Sequence, residues 1–141
     1  MNKYMESINT ISGVLVKSKN KVLLCKRAPK NTLPNMWSIP CGHLEKNEPP
    51  LVGAKREFYD ETNIKLDKIN LIGFMNKVKK GENIKNKLIY VFFHESDEEI
   101  LPDLNNAKDG RERSECGYFS VNEIPSGVDD QLYNIIKKVL S

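Results

Sequence analysis

The sequence lacks an apolar run long enough to cross a membrane. The longest run covers only residues 88–93, whereas a spanning helix needs about 20 apolar residues. The first ten residues, MNKYMESINT, contain no apolar stretch of the kind found in a secretory signal. We therefore expect a protein without a membrane partner, located in the cytoplasm.

Cysteine and histidine are also scarce. The three cysteines, Cys25, Cys41 and Cys116, show no C-x-x-C spacing, and their odd number fits no disulfide framework. Reduced thiols are therefore expected, as is usual in the cytosol. A nucleophilic Cys41 is the alternative, but His43 and His94 are the only histidines that could serve as its base.

Charge of one sign is not in large excess either. The 141 residues include 22 basic and 19 acidic side chains, which gives a formal charge of +3. So small a bias permits an anionic small-molecule substrate and does not indicate a nucleic-acid partner. The length predicts a single domain over residues 1–141, since one domain typically has about 150 residues.

What the chain does contain is a dense group of acidic side chains. Glu57, Asp60 and Glu61 follow the i, i+3, i+4 spacing that places side chains on one face of a helix, and Arg56 precedes them. Carboxylates at such short distances repel one another unless a cation neutralises them. Carboxylate oxygens are suitable ligands for Mg²⁺ or Mn²⁺. Such ions commonly bind phosphates. The alternative for the three acids alone is a solvated helix face.

The pattern of apolar residues and turn formers predicts strands interspersed with two helices and no repeated βαβ unit. This indicates an α/β protein of the α+β type, with a mixed sheet and helices outside it. Pro50 suits the first turn of a helix, and Asn63 suits its end. Predicted strands cover residues 8–16 and 21–27 (as a hairpin), 36–40, 65–76, 87–94 and 117–121, and predicted helices cover 50–62 and 128–140.

Residues 42–64 resemble the signature of the Nudix hydrolases, G-x5-E-x7-R-E-U-x-E-E-x-G-U, in which U is a bulky apolar residue. Asp60 replaces a glutamate and Asn63 replaces a glycine, while seven of the nine specified positions match. The flanking segments 37–40 (WSIP) and 118–125 (YFSVNEIP) also resemble segments of that family. The matching positions are Gly42, Glu48, Arg56, Glu57, Phe58, Glu61 and Ile64.

The resemblance implies a mixed sheet between helices, with the signature forming a loop, a helix and a second loop. It also implies hydrolysis of a nucleoside diphosphate linked to another moiety, by attack of water on phosphorus, with Mg²⁺ or Mn²⁺ as cofactor. Asp60 and Glu61 then occupy metal-ligand positions, Glu57 is a metal ligand or the general base, and Arg56 holds a carboxylate of the signature in place. Asp60 has a shorter reach than glutamate, and binding through water is its alternative.

Residues outside the helix complete the implied site. Gly42 lets the backbone approach the metal, and the carbonyl of Cys41 is a ligand. Glu112 or Glu115 supplies one more carboxylate, and we favour Glu112. Glu48 has an alternative role at the helix N-terminus, where an acid interacts favourably with the helix dipole.

Substrate contacts are predicted for Arg27, Arg111, Trp37 and Gly42. For the two arginines a solvated position is the alternative, and for Trp37 it is packing in the core. The expected partner is a nucleotide: a nucleotide sugar, a nucleoside triphosphate, a dinucleotide or, less in keeping with the chain's size, capped RNA. A homodimer is compatible with the resemblance. The alternative function is that of a Nudix-like module that binds a nucleotide without cleaving it.

Overall fold

The computed structural model describes residues 7–29, 35–79 and 85–141. In chain order, the elements are the strands and helices β1 Ser7–Ser18, β2 Lys21–Arg27, β3 Trp37–Ser38, β4 Cys41–His43, α1 Pro50–Thr62, β5 Asn70–Lys79, β6 Lys85–Ser96, β7 Arg113–Phe119 and α2 Asp130–Leu140. Short 3₁₀ turns cover Gly110–Glu112 and Val121–Glu123.

The strands form one mixed sheet with β1 at its centre. Strand β1 pairs in parallel with β6 along its whole length, and its last two residues pair antiparallel with β2. The sheet order is β3-β2-β1-β6-β5, with β4 also paired to β1 and β7 also paired to β2. The predicted hairpin of the first two strands therefore exists, but only the last two residues of β1 pair with β2. Strand β6 pairs along the opposite edge of β1, and β4 pairs with residues 11–13.

The two helices cover opposite faces of the sheet, as a mixed sheet sandwiched between helices requires. Along β2, Leu23 and Cys25 pack with α1, whereas Val22 and Leu24 pack with α2. This alternation follows from the two-residue period of strand side chains. The α1 side is centred on buried Phe58, and the predicted α+β fold is confirmed.

Helix α1 begins at Pro50 and ends at Thr62, as predicted. Proline is suited to this start because the first helical N–H groups have no partner within the helix. Asn63 adopts the left-handed conformation (φ 64°) and donates its N–H to the Tyr59 carbonyl, as a helix stop should. The apolar spacing of Leu51, Ala54 and Phe58 would place all three in the core, but Leu51 is exposed, whereas Ala54 and Phe58 are buried.

Several predicted boundaries need correction. Residues 65–69 precede β5 and form no strand, although Leu66 and Ile69 are buried under α1. Strand β7 begins at Arg113, four residues before the predicted start, because residues 113–119 pair with β2. Residues 77–79 and 85–86, left between the predicted strands, belong to β5 and β6, and residues 80–84 lie outside the described residues. None of the helices that the structure describes is both long and apolar enough to span a bilayer.

The expectation of three reduced cysteines is wrong. Cys25 on β2 and Cys116 on β7 lie directly opposite each other and form a disulfide. Cys41 is free. The pairing could not be read from spacing, because 91 residues separate the two cysteines and only the strand register brings them together. The cysteine-based argument for the cytosol therefore loses its premise, and a cytoplasmic location stays a prediction.

Candidate active site

A cavity of about 460 Å³ opens where β4 meets the middle of β1 and the end of β2. Acidic groups reach it from α1 and from the segment before β7, and basic groups reach it from β2 and β6. It is lined by Ile11, Arg27, Cys41, Gly42, His43, Glu57, Lys87, Asp109 and Glu112. Both signs of charge therefore face one cavity, as the binding of an anion together with a cation would require.

Arg56 lies at the centre of a network of carboxylates beside this cavity. Its Nε and Nη2 donate to the two oxygens of Glu48 at 2.7 and 2.9 Å, and its Nη1 donates to Glu57 Oε1 at 2.8 Å. Asp60 Oδ2 lies 3.6 Å from the same Nη1. These hydrogen bonds from Arg56 lower the pKa of Glu48. Glu48 is thus the paired acceptor of a guanidinium fork, a contact that its helix-dipole alternative does not include.

Glu57 extends from α1 towards the loop that begins at Gly42. A Cβ atom at Gly42 would overlap the Glu57 carboxylate, so glycine lets that carboxylate occupy its present position. Burial raises the pKa of Glu57, and the hydrogen bond from Arg56 acts in the opposite direction. Gly53 serves α1 in a similar way, since a side chain there would overlap Leu44.

Glu61 is completely buried and paired with a residue that the sequence analysis did not single out. Arg113 Nε donates to Glu61 Oε1 at 2.8 Å, while Glu61 Oε2 has no hydrogen-bond partner among the residues that the structure describes. The remaining guanidinium nitrogens of Arg113 donate to the carbonyls of Cys25 and Ile39 and to Ser38 Oγ, at 3.0 to 3.2 Å. Burial raises the pKa of Glu61, and the charge of Arg113 opposes that shift.

The segment before β7 is held against the end of α1. Asp103 and Asp109 donate their backbone N–H groups to the carbonyls of Thr62 and Asp60. Carbonyls at a helix C-terminus have no partner within the helix, so this loop satisfies them. The contact brings Asp109 and Glu112 to the cavity. Of the two acids weighed for this role, Glu112 thus lines the cavity.

The other acid, Glu115, is exposed and lies 3.8 Å from Lys26 outside the cavity. Trp37 and Arg111 are likewise absent from the lining. The Trp37 ring packs edge-on against Phe119 with centroids 5.2 Å apart, which agrees with its core alternative. Arg111 is exposed in the turn Gly110–Glu112, as its solvated alternative states.

Cys41 lines the cavity but is unsuited to act as a nucleophile. Burial, with a smaller contribution from the charge of Glu61, raises the pKa of its thiol to about 11. The reactive form of cysteine is the thiolate, which such a pKa keeps scarce near neutral pH. The predicted contribution of Cys41 is its backbone carbonyl, and that contribution stays a prediction.

The predicted metal ligands are not gathered into one cluster. Among residues 7–29, 35–79 and 85–141, no three side chains of the His, Cys, Asp and Glu types are grouped closely enough to hold an ion. The chemistry nevertheless fits a hard cation, because the ligand atoms are carboxylate oxygens and Glu61 Oε2 is buried with no hydrogen-bond partner within those ranges. The predicted set that would hold the ion stays Asp60, Glu61 and Glu112 with the Cys41 carbonyl, while Glu57, bound to Arg56, would be a further ligand or the general base.

Sequence reasoning missed three residues of this region. Lys87 stands at the start of β6, and only its basic charge beside an apolar strand marked it. Asp109 belongs to a polar stretch without a recognisable motif. Arg113 directly follows Glu112, but its partner Glu61 lies 52 residues away, so no local pattern could join them.

The family profile described as the NUDIX domain matches residues 8–140. Because the match covers almost the whole chain, the chain belongs to the Nudix family, and the resemblance seen in residues 42–64 is confirmed. A crystal structure of the MutT NUDIX hydrolase from Burkholderia pseudomallei superposes with a TM-score of 0.80 at 17% identity. That alignment covers 95% of this chain and 99% of the other, which shows a shared fold.

Two relatives show how far the sequence similarity extends. A MutT-like protein of Streptomyces ambofaciens is 32% identical over 72 residues, which are 51% of this chain and 44% of the relative. The 8-oxo-dGTP diphosphatase of Buchnera aphidicola subsp. Schizaphis graminum is 31% identical over 62 residues, 44% of this chain and 47% of the relative. The aligned segments therefore span less than half of either relative.

Proposed function

We propose that this protein is a pyrophosphohydrolase that depends on a divalent cation, Mg²⁺ or Mn²⁺. Its substrate is a nucleoside diphosphate linked to another moiety, and water attacks phosphorus in the diphosphate bridge. The observation that carries the proposal is the cavity in which Glu57 and Glu112 face Arg27 and Lys87. Family membership supports the same chemistry.

The arrangement of charge suits a diphosphate with its cation. Arg27 and Lys87 enter the cavity from β2 and β6 and would neutralise phosphate oxygens, while Glu57 and Glu112 enter from the side of α1. A bound divalent ion would supply Lewis acidity and a lowered pKa for an attacking water. A nucleoside diphosphate compound would fit because its charge is concentrated in a few oxygens next to an uncharged moiety.

Glu57 is the general base of this proposal. Its carboxylate faces the cavity, where it could accept a proton from water attacking phosphorus. Arg56 binds one of its oxygens, and Glu48 holds Arg56 with two hydrogen bonds. Glu48 and Arg56 therefore position the base, because a carboxylate must lie within hydrogen-bonding reach of the proton that it removes.

The decisive experiment is a substrate panel assayed with Mg²⁺, with Mn²⁺ and with a chelator. It should contain ADP-ribose and other nucleotide sugars, normal and oxidised nucleoside triphosphates, dinucleotides, dinucleoside polyphosphates and capped RNA. We expect release of a nucleoside monophosphate or phosphate that stops when the metal is removed. Absence of turnover for every diphosphate compound, with both metals, would reject the hydrolase.

A second function is favoured by one observation, namely that no preformed cluster of metal ligands exists among the described residues. In that case the cavity binds a nucleotide without cleaving it, and the domain acts as a sensor. Calorimetry with a non-hydrolysable analogue, run beside the substrate panel, separates the two functions. Binding with no turnover indicates the sensor, and turnover that depends on metal indicates the enzyme.

A further inference from the structure

We propose that Arg113 is a positioning residue that holds Glu61 so that a single carboxylate oxygen, Oε2, is presented to the metal ion. The inference rests on the proposed function, because it assigns a geometry to one of its predicted ligands. Arg113 lies outside the Nudix signature, which ends at Ile64 and contains no residue of β7.

The first step of the argument is the geometry of the pair. Arg113 Nε lies 2.8 Å from Glu61 Oε1, and the two side chains are only 2% and 0% exposed. The second oxygen, Oε2, is buried, and no group in the described part of the chain forms a hydrogen bond with it. A buried oxygen of a charged carboxylate is costly without a partner, so its position calls for a cation or a donor.

The second step is that Arg113 cannot easily turn away from Glu61. Its Nη1 donates to the Cys25 carbonyl and to Ser38 Oγ, and its Nη2 donates to the Ile39 carbonyl. The guanidinium is therefore bound on three sides by backbone and side-chain groups of β2, β3 and the turn before β4. A planar fork fixed in this way keeps Oε1 occupied and leaves Oε2 as the oxygen of Glu61 that can coordinate the metal ion.

The third step is that Arg113 joins two predicted ligand positions. It directly follows Glu112, whose carbonyl accepts from the Ala28 N–H, and it contacts Glu61 on α1. The same residue thus fixes the distance between helix α1 and the start of β7. Partners of metal ligands commonly orient them, and their removal typically weakens metal binding by about 10- to 100-fold.

The test is a double-mutant cycle read out as Mn²⁺ binding without nucleotide, measured by calorimetry or by the electron paramagnetic resonance of free Mn²⁺. The variants are Arg113→Lys, Glu61→Gln and the two combined. Lysine keeps a positive charge beside Glu61, so the variant should fold. It cannot reproduce the planar fork of the guanidinium, so the orientation of Glu61 should be lost. We expect Arg113→Lys to weaken Mn²⁺ binding by about 10-fold or more in wild-type Glu61, and to have little further effect once Glu61 is glutamine.

A purely structural role predicts a different result. Thermal unfolding would shift, but the Mn²⁺ affinity of the folded fraction would not change, or the two substitutions would act additively. Either outcome would overturn the inference, as would a wild-type protein that binds no Mn²⁺. Lys77→Met is the matched control, because it breaks the more exposed pair with Asp129 and should leave Mn²⁺ binding unchanged.

The same cycle distinguishes this inference from the proposed function. If the substrate panel shows no turnover but Mn²⁺ binding follows the expected non-additive pattern, the hydrolase is rejected and the role of Arg113 remains. If turnover is present, the kcat of Arg113→Lys should fall while its KM for nucleotide changes little, since Arg113 is not among the residues that line the cavity.

Discussion

Arg56 and Arg113 both bind carboxylates of helix α1, but they do so in different surroundings. The Arg56 side chain is 26% exposed and contacts acids close to it in the sequence, from Glu48 to Asp60. The Arg113 side chain is 2% exposed and binds Glu61 across 52 residues of sequence. The Arg56 cluster lies beside the cavity proposed to bind substrate, whereas the buried Arg113–Glu61 pair joins helix α1 to the sheet.

The difference shows that similar ion pairs can contribute differently to the free energy of unfolding. Exposed pairs are worth little in stability because water screens them. A buried pair is costly to break, because removing one partner leaves an uncompensated charge away from water. We therefore expect loss of turnover to dominate when the Arg56 cluster is altered, and loss of stability to dominate when the Arg113 pair is broken.

The largest expected effect is that of Glu57→Gln. It should lower kcat by about 10²- to 10⁴-fold, since a general base typically contributes that much, and leave the free energy of unfolding and nucleotide binding nearly unchanged. Steady-state kinetics measures kcat, and chemical denaturation measures the free energy of unfolding. Glu45→Gln is the control, because Glu45 also lies near Arg56 but is 67% exposed. Turnover equal to wild type in Glu57→Gln would remove Glu57 from the mechanism.

The second prediction contrasts the two arginines directly. Arg113→Met should lower the free energy of unfolding by about 3–5 kcal/mol, because Glu61 would remain buried without its cation. Arg56→Met should cost less, about 1–3 kcal/mol, because Arg56 is partly exposed and the acids that lose its hydrogen bonds keep some access to water. Urea denaturation of both variants gives the comparison.

A double variant then sharpens this result. Glu61→Met/Arg113→Met should be more stable than Arg113→Met alone, because replacing a whole buried ion pair by apolar side chains is often neutral or stabilising. Equal losses in the two single arginine variants would contradict the contrast between a fully buried pair and a partly exposed cluster.

How far the sequence predicted these regions follows from the same contrast. The bounds of α1 depend on Pro50 and Asn63, which act locally, and they were correct. The spacing of Arg56 and its acids could be recognised for the same reason. The partner of Glu61 and the disulfide between Cys25 and Cys116 depend on the register of β2 with β7, which no local pattern reveals.

The cavity shows the same limit. Arg27 and Glu112 were expected there, but Lys87 arrives on β6 through its parallel pairing with β1, a contact between distant parts of the chain. Trp37 was expected to be near substrate from its position before the signature, yet the register of β3 with β2 turns it towards Phe119. Residue type indicated chemistry, and strand pairing decided which residues share the site.

A third prediction tests whether the Arg56 cluster depends on close packing at Gly42. Gly42→Ala places a methyl group on the Glu57 carboxylate, which must then move away from Arg56. Because the carboxylate ends a flexible side chain that can swing away, we expect reduced kcat with little loss of stability. Gly73→Ala is the control, because the nearest atom that its Cβ would meet lies 3.7 Å away. Unchanged kcat in Gly42→Ala would show that Glu57 tolerates displacement.

The smallest expected effect concerns Asn63, which follows both clusters at the end of α1. Its left-handed conformation is strained for most residues, so Asn63→Ala should lower the free energy of unfolding by about 1 kcal/mol. Asn63→Gly should be neutral or slightly stabilising because glycine adopts this conformation freely. Thermal unfolding of the two variants measures the difference.

Turnover should be the same in both Asn63 variants, because Arg56 and Arg113 hold the acids of α1 independently of the residue that ends the helix. Each arginine contacts its acid before Thr62, so a change of backbone preference at position 63 does not alter either pair. A fall in kcat for Asn63→Ala beyond its loss of folded protein would mean that the helix end, and not the two arginines, sets the positions of Glu57 and Glu61.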